Sequence, residues 1–130
     1  MAQKSFQQSL DNIVRADPRY AAGAYVFVRM ALDYTVKKLC SENKQRAGKH
    51  VSASELLDGI REFALESFGP MAYVVLEEWG VKNTADFGEI VFNLIECGEL
   101  RRTEDDRRED FKGGYNFKAA FIDPFVPAAK

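Results

Sequence analysis

Between Ser52 and Gly80 the chain carries a dense series of helix start and stop signals. Ser52 and Glu55 match a capping box, in which each side chain accepts from the other's backbone N–H. Leu56, Leu57, Ile60, Phe63, Ala64 and Phe68 then recur at helical spacing and predict one buried stripe. Gly69 is a natural C-cap glycine and Pro70 a natural first helical residue. A short fourth helix follows from Pro70 to Trp79, closed by Gly80. Two consecutive apolar-striped helices must bury their stripes against other elements, which points to a mostly α-helical core.

The flanking segments extend that pattern. Phe6, Leu10, Ile13 and Val14 predict a first helix, stopped at Asp17-Pro18 because proline cannot continue a helix. Tyr25, Val26, Phe27, Met30, Ala31, Tyr34 and Leu39 give a second helix over Ala21–Ser41 a broad apolar face. Glu42 to His50 is polar and reads as a loop. Thr84 is the expected cap of a fifth helix over Ala85–Cys97, with Phe87, Ile90, Val91, Leu94 and Ile95 facing inward and Gly98 ending it. In that arrangement Asn93 falls on the outer face beside Glu89 and Glu96, and Trp79 sits beneath the turn as a core anchor.

After Gly98 the character changes. Leu100–Thr103 and Arg107–Phe111, joined by Glu104-Asp105-Asp106, are expected to pair as a small C-terminal β-hairpin over 99–112. The predicted fold is therefore a five-helix α+β domain with that hairpin. Helix, turn, helix and hairpin in this order resemble a winged helix, with the fifth helix as recognition helix and the hairpin as wing. Residues 113–130 form an aromatic tail carrying Tyr115, Phe117, Phe121 and Phe125. It either folds back on the core or covers a second subunit. At 130 residues the whole is expected to be one domain.

Charge weighs against the function a winged helix would suggest. The chain totals −2, but the charges are unevenly placed. Residues 1–60 carry nine basic and six acidic groups, residues 61–100 two and eight, and residues 101–130 seven and six. The helix that would enter a major groove contains Asp86, Glu89 and Glu96 and no Lys or Arg, the wrong sign for a phosphate backbone. Glu77, Glu78, Asp86, Glu89 and Glu96 instead make a candidate protein-contact surface. Lys44, Arg46, Lys49 and His50, with Arg101 and Arg102, are the candidate contacts for an anionic partner, and carry the alternative of nucleic-acid binding.

Catalytic patterns are sparse. His50 is the single histidine, and Cys40 and Cys97 have no metal-ligand spacing. Phosphate-cradling glycine motifs and the nucleophile-elbow motif do not occur. No catalytic residue, metal ligand or cofactor site is assigned. A small enzyme would need a cleft around His50 or Cys97. No run of apolar residues is long enough to span a membrane, and the N-terminal stretch lacks a signal-peptide core, so the cytoplasm is the expected compartment. Both cysteines then read as small buried hydrophobes. The functional expectation is a non-enzymatic protein–protein interaction module.

The blocks DPRYAAGAYVFVRMALDYTV, HVSASELLDGIREFALESFGPMAYVVLEEWGV, TADFGEIVFNLIECGEL and REDFKGGYNFKAAF together resemble an uncharacterised family of small bacterial proteins, best known from planctomycete and verrucomicrobial lineages. The resemblance covers about Asp17 to Phe125. It implies a stand-alone intracellular bacterial domain with a native N-terminal helix. It supplies no activity, cofactor, partner or catalytic residue.

Overall fold

The computed structural model describes residues 6–42, 51–100 and 107–126. Five α-helices carry the architecture: α1 (Phe6–Ala16), α2 (Ala22–Glu42), α3 (Ala53–Phe68), α4 (Ala72–Glu78) and α5 (Thr84–Glu96). The capping box predicted at Ser52 and Glu55 is formed, with Glu55 N donating to Ser52 Oγ at 3.1 Å and Ser52 N to Glu55 Oε1 at 3.0 Å. A 3-10 turn, Gly69–Met71, joins α3 to α4.

Helix α2 is the axis of the fold. Its 21 residues span about 31 Å. Ala24, Tyr25, Phe27, Val28, Ala31 and Thr35 are all buried, so it is covered on more than one side. Helix α3 crosses it closely because Gly59 has no side chain: a Cβ there would lie 1.7 Å from Thr35 Oγ1. The buried Thr35 hydroxyl donates to Ala31 O at 2.7 Å, so the crossing leaves no orphan donor. Helix α5 is buried along most of its length, at Thr84, Phe87, Gly88, Ile90, Val91, Phe92 and Leu94.

The sequence places the cap of α5 at Thr84, but Asn83 takes that role. Asn83 Oδ1 accepts from Asp86 N at 3.1 Å, and Asp86 Oδ2 accepts from Asn83 N at 3.3 Å. Thr84 is 1% exposed, and its hydroxyl accepts the N–H of Gly114 at 3.0 Å.

The expected hairpin is not formed. Arg108–Phe111, its intended return strand, is a 3-10 turn, and the described residues contain no strand. The reason lies in the side chains. Arg107, Arg108, Glu109 and Asp110 are all exposed and only Phe111 is buried, so a strand would have one inward residue where the pleat demands alternation. The 3-10 turn pairs its own backbone, Asp110 N to Arg107 O at 3.2 Å and Lys112 N to Glu109 O at 3.1 Å. It delivers Phe111 onto α5, where Gly88 makes room: a Cβ on Gly88 would lie 2.8 Å from Phe111 Cβ. Without a hairpin there is no wing. The proposed recognition helix is also a core helix without a free reading face, so the winged-helix arrangement falls. The first arm, 101–103, and the turn, 104–106, lie outside the described residues.

Of the C-terminal aromatics, Tyr115, Phe117 and Phe121 pack on this core, whereas Phe125 is exposed. Phe117 and Phe121 are buried, with their rings 5.1 Å apart, and Phe117 lies 5.7 Å from Phe87. The Tyr115 hydroxyl donates to Leu57 O at 2.9 Å. Lys118–Ile122 forms a single π-helical turn and Asp123–Phe125 a 3-10 turn.

Candidate functional site

A polar cluster gathers where the turn between α1 and α2 meets α5. Asp17 accepts from Arg19 Nε at 2.9 Å, from Arg19 Nη2 at 2.7 Å and from Asn93 Nδ2 at 3.0 Å. Asn93 Nδ2 also donates to Tyr25 Oη at 3.0 Å. Asn93 therefore does not face outward, as helical spacing suggested; it ties α5 to α2 and to the preceding turn. The Tyr20 hydroxyl donates to Asp86 Oδ1 at 2.5 Å.

The electrostatics of this cluster make it a fastening. The Arg19 guanidinium, outweighing burial, holds the Asp17 carboxyl well below the usual carboxylate range. Burial, reinforced by the Asp86 carboxylate, pushes the Tyr20 phenol far up, and burial raises Tyr25. A carboxylate held ionised and phenols held neutral are poor general acids or bases near neutral pH.

The predicted acidic surface divides. Asp86 accepts from Tyr20 and caps α5. Glu89 lies 3.8 Å from Arg19 and 3.5 Å from Arg108, and Glu96 lies 3.2 Å from Arg108. The Arg108 guanidinium also sits over the Phe92 ring at 5.4 Å. These three acids are thus paired within the chain. Glu77 and Glu78 are exposed on α4. Of the anionic-partner candidates, Lys44, Arg46, Lys49, His50, Arg101 and Arg102 all lie outside the described residues.

Cys97 lines a shallow groove of about 190 Å³ between α1 and α5, beside Asn12, Asp17, Asn93 and Glu96. Its thiol donates to Leu94 O at 3.2 Å. The groove lining contains carboxylates and amides but no cation to stabilise a thiolate. Among the described residues no group of three or more His, Cys, Asp or Glu side chains is placed to hold a metal ion. No helix among them is long and apolar enough to cross a membrane.

Two surfaces escaped the sequence reading. One is an aromatic seam along α2, α3 and the end of α4. Tyr34 meets Phe63 at 5.3 Å, Phe63 meets Phe27 at 5.3 Å, and Phe27 meets Phe68 at 5.6 Å and Trp79 at 5.5 Å. Phe27 is buried, while Tyr34, Phe63, Phe68 and Trp79 are only half-buried. Met30, one turn from both Phe27 and Tyr34 on α2, is 53% exposed. Charged pairs border the seam: Arg29 with Asp33, Lys38 with Glu62, and Tyr34 donating to Glu66. That last contact, ahead of burial, pushes the Tyr34 phenol up to about 12.

The other is a cavity of about 240 Å³ enclosed by Leu32 and Val36 of α2, Leu56 of α3, and Val91, Phe92 and Ile95 of α5. Arg107 and Asp110 stand at its mouth. Its walls come from distant segments, so no sequence motif marks it.

Comparison with known proteins gives no match to any family model, curated protein or solved structure.

Proposed function

We propose that this protein is a non-enzymatic, cytoplasmic protein-binding module that docks its partner on the aromatic seam of α2 and α3. The observation that carries this reading is Met30, 53% exposed and the most exposed large hydrophobic side chain of α2, in line with the half-buried rings of Tyr34 and Phe63. Protein interfaces are enriched in aromatic residues and Met at the centre and have a polar rim. The seam has that anatomy, with charged pairs of both signs at its border. Of the five acids first considered for contact, Glu89 and Glu96 are already paired with Arg19 and Arg108 and Asp86 with Tyr20, so the apolar seam is the better-supported surface. The quiet chemistry of the polar cluster supports a binding role over a catalytic one.

The test is a comparative pull-down from native cytoplasm with wild-type, Met30→Glu and Val126→Glu baits. Val126 is 57% exposed and lies away from α2 in the chain, at the C-terminal end of the described residues. The expected result is a specific protein retained by the wild type and by Val126→Glu, and reduced at least tenfold with Met30→Glu at unchanged circular dichroism. Equal recovery by all three baits, or no specific protein with any, overturns the proposal.

A further inference from the structure

We infer that the cavity between α2, α5 and the Arg108–Phe111 turn binds a free amino acid with a branched aliphatic or aromatic side chain. This site is separate from the aromatic seam and does not rest on it.

Size comes first. A cavity of about 150 Å³ holds benzene, and pockets for drug-sized ligands begin near 300 Å³. At about 240 Å³ this one suits a single bulky side chain with its α-carbon groups. It is too small for a nucleotide or a long acyl chain.

The walls come next. Leu32, Val91, Phe92 and Ile95 make the interior apolar, and Val36 at the edge is 38% exposed.

Charge at the mouth selects the class. Arg107 and Asp110 both border the opening, and among the described residues neither forms an ion pair. Asp110 N donates to Arg107 O at 3.2 Å, which sets the two residues one 3-10 turn apart. Residues at that spacing lie on the same side of the turn. One unpaired cation and one unpaired carboxylate over an apolar hole complement a zwitterion: carboxylate to the guanidinium, ammonium to Asp110, side chain inward. A fatty acid would satisfy Arg107 and leave Asp110 beside its own negative headgroup.

Isothermal titration calorimetry with L-leucine and L-phenylalanine tests this, alongside two leucine analogues lacking either the amino group (4-methylpentanoate) or the carboxylate (3-methylbutylamine). The expected result is saturable binding of at least one amino acid, with each truncated leucine analogue at least tenfold weaker than leucine. Arg107→Ala and Asp110→Ala, both surface substitutions, are each expected to weaken amino-acid binding at least tenfold. Val36→Trp, which fills the edge of the cavity, is expected to abolish it, with circular dichroism reporting that each variant is folded. No binding of either amino acid at millimolar concentration overturns the inference. Leucine and its analogues binding equally well, with Arg107→Ala and Asp110→Ala without effect, overturns it too.

Discussion

Tyr20 and Asp86, 66 residues apart, meet through a phenol-to-carboxylate hydrogen bond of 2.5 Å that joins the turn before α2 to the first turn of α5. The same carboxylate accepts from the backbone N–H groups of Lys82 at 2.8 Å and Asn83 at 3.3 Å. One side chain therefore caps a helix and fixes its position against the rest of the fold. Tyr20→Phe leaves the cap in place and is expected to cost about 1.5 kcal/mol, the value of one hydrogen bond to a charged group. Asp86→Ala leaves the Asn83 cap but removes the reciprocal half of the capping box and orphans the Tyr20 hydroxyl, which is expected to cost roughly 2–4 kcal/mol. Urea unfolding of both variants and the double variant should give a coupling energy of at least about 0.5 kcal/mol. Strict additivity would show that the bond contributes nothing.

Asp17 makes the fold acid-sensitive. Arg19 and Asn93 hold its folded-state pKa below that of the unfolded chain, about 3.9. The stabilisation is fully present above the unfolded value and is lost as pH falls through it toward the folded value. Unfolding free energy of the wild type is expected to decline between about pH 5 and about pH 2. Asp17→Asn should be less stable at neutral pH and should decline less over that acid range. Parallel pH curves for the two proteins would contradict this.

Gly80 and Gly98 separate two costs of a side chain. Both have positive φ, +89° and +85°. A Cβ at Gly98 meets nothing within 4 Å, whereas one at Gly80 lies 2.2 Å from the backbone oxygen of Arg19. Gly98→Ala is expected to cost roughly 1 kcal/mol, from left-handed strain alone. Gly80→Ala adds a clash between two backbone turns and should cost roughly 3 kcal/mol. Equal shifts in the urea midpoint would refute the close approach of these turns.

The C-terminal segment is expected to be required for folding. Phe121 is fully buried, and Phe117 and Ala120 are nearly so. Phe121→Ala should cost roughly 3–5 kcal/mol. Deletion after Gly114 should abolish cooperative unfolding and the near-ultraviolet circular dichroism of the aromatic core. A truncated chain with an unchanged urea midpoint would show the segment to be dispensable.

The sequence by itself determined most helix ends to within a residue or two. Ser52 with Glu55, Gly69 with Pro70, and the glycines at 80 and 98 act through backbone groups three or four residues away, so their effect is local and readable. Tertiary packing decided the rest. The chain around Arg107–Phe111 contains turn-compatible residues and one apolar anchor. The notch at Gly88 receives that anchor, Phe111, on α5. Asn93 points inward because Asp17 and Tyr25, both about 70 positions earlier in the chain, are there to accept its hydrogens. Of the acids of α5, read from sequence as an open surface, Glu89 and Glu96 are paired by Arg19 and Arg108 and Asp86 by Tyr20 across the fold. The aromatic seam and the cavity arise in the same way, from segments that meet only after folding. Local rules reach about one helical turn, and both the seam and the cavity are assembled over longer distances.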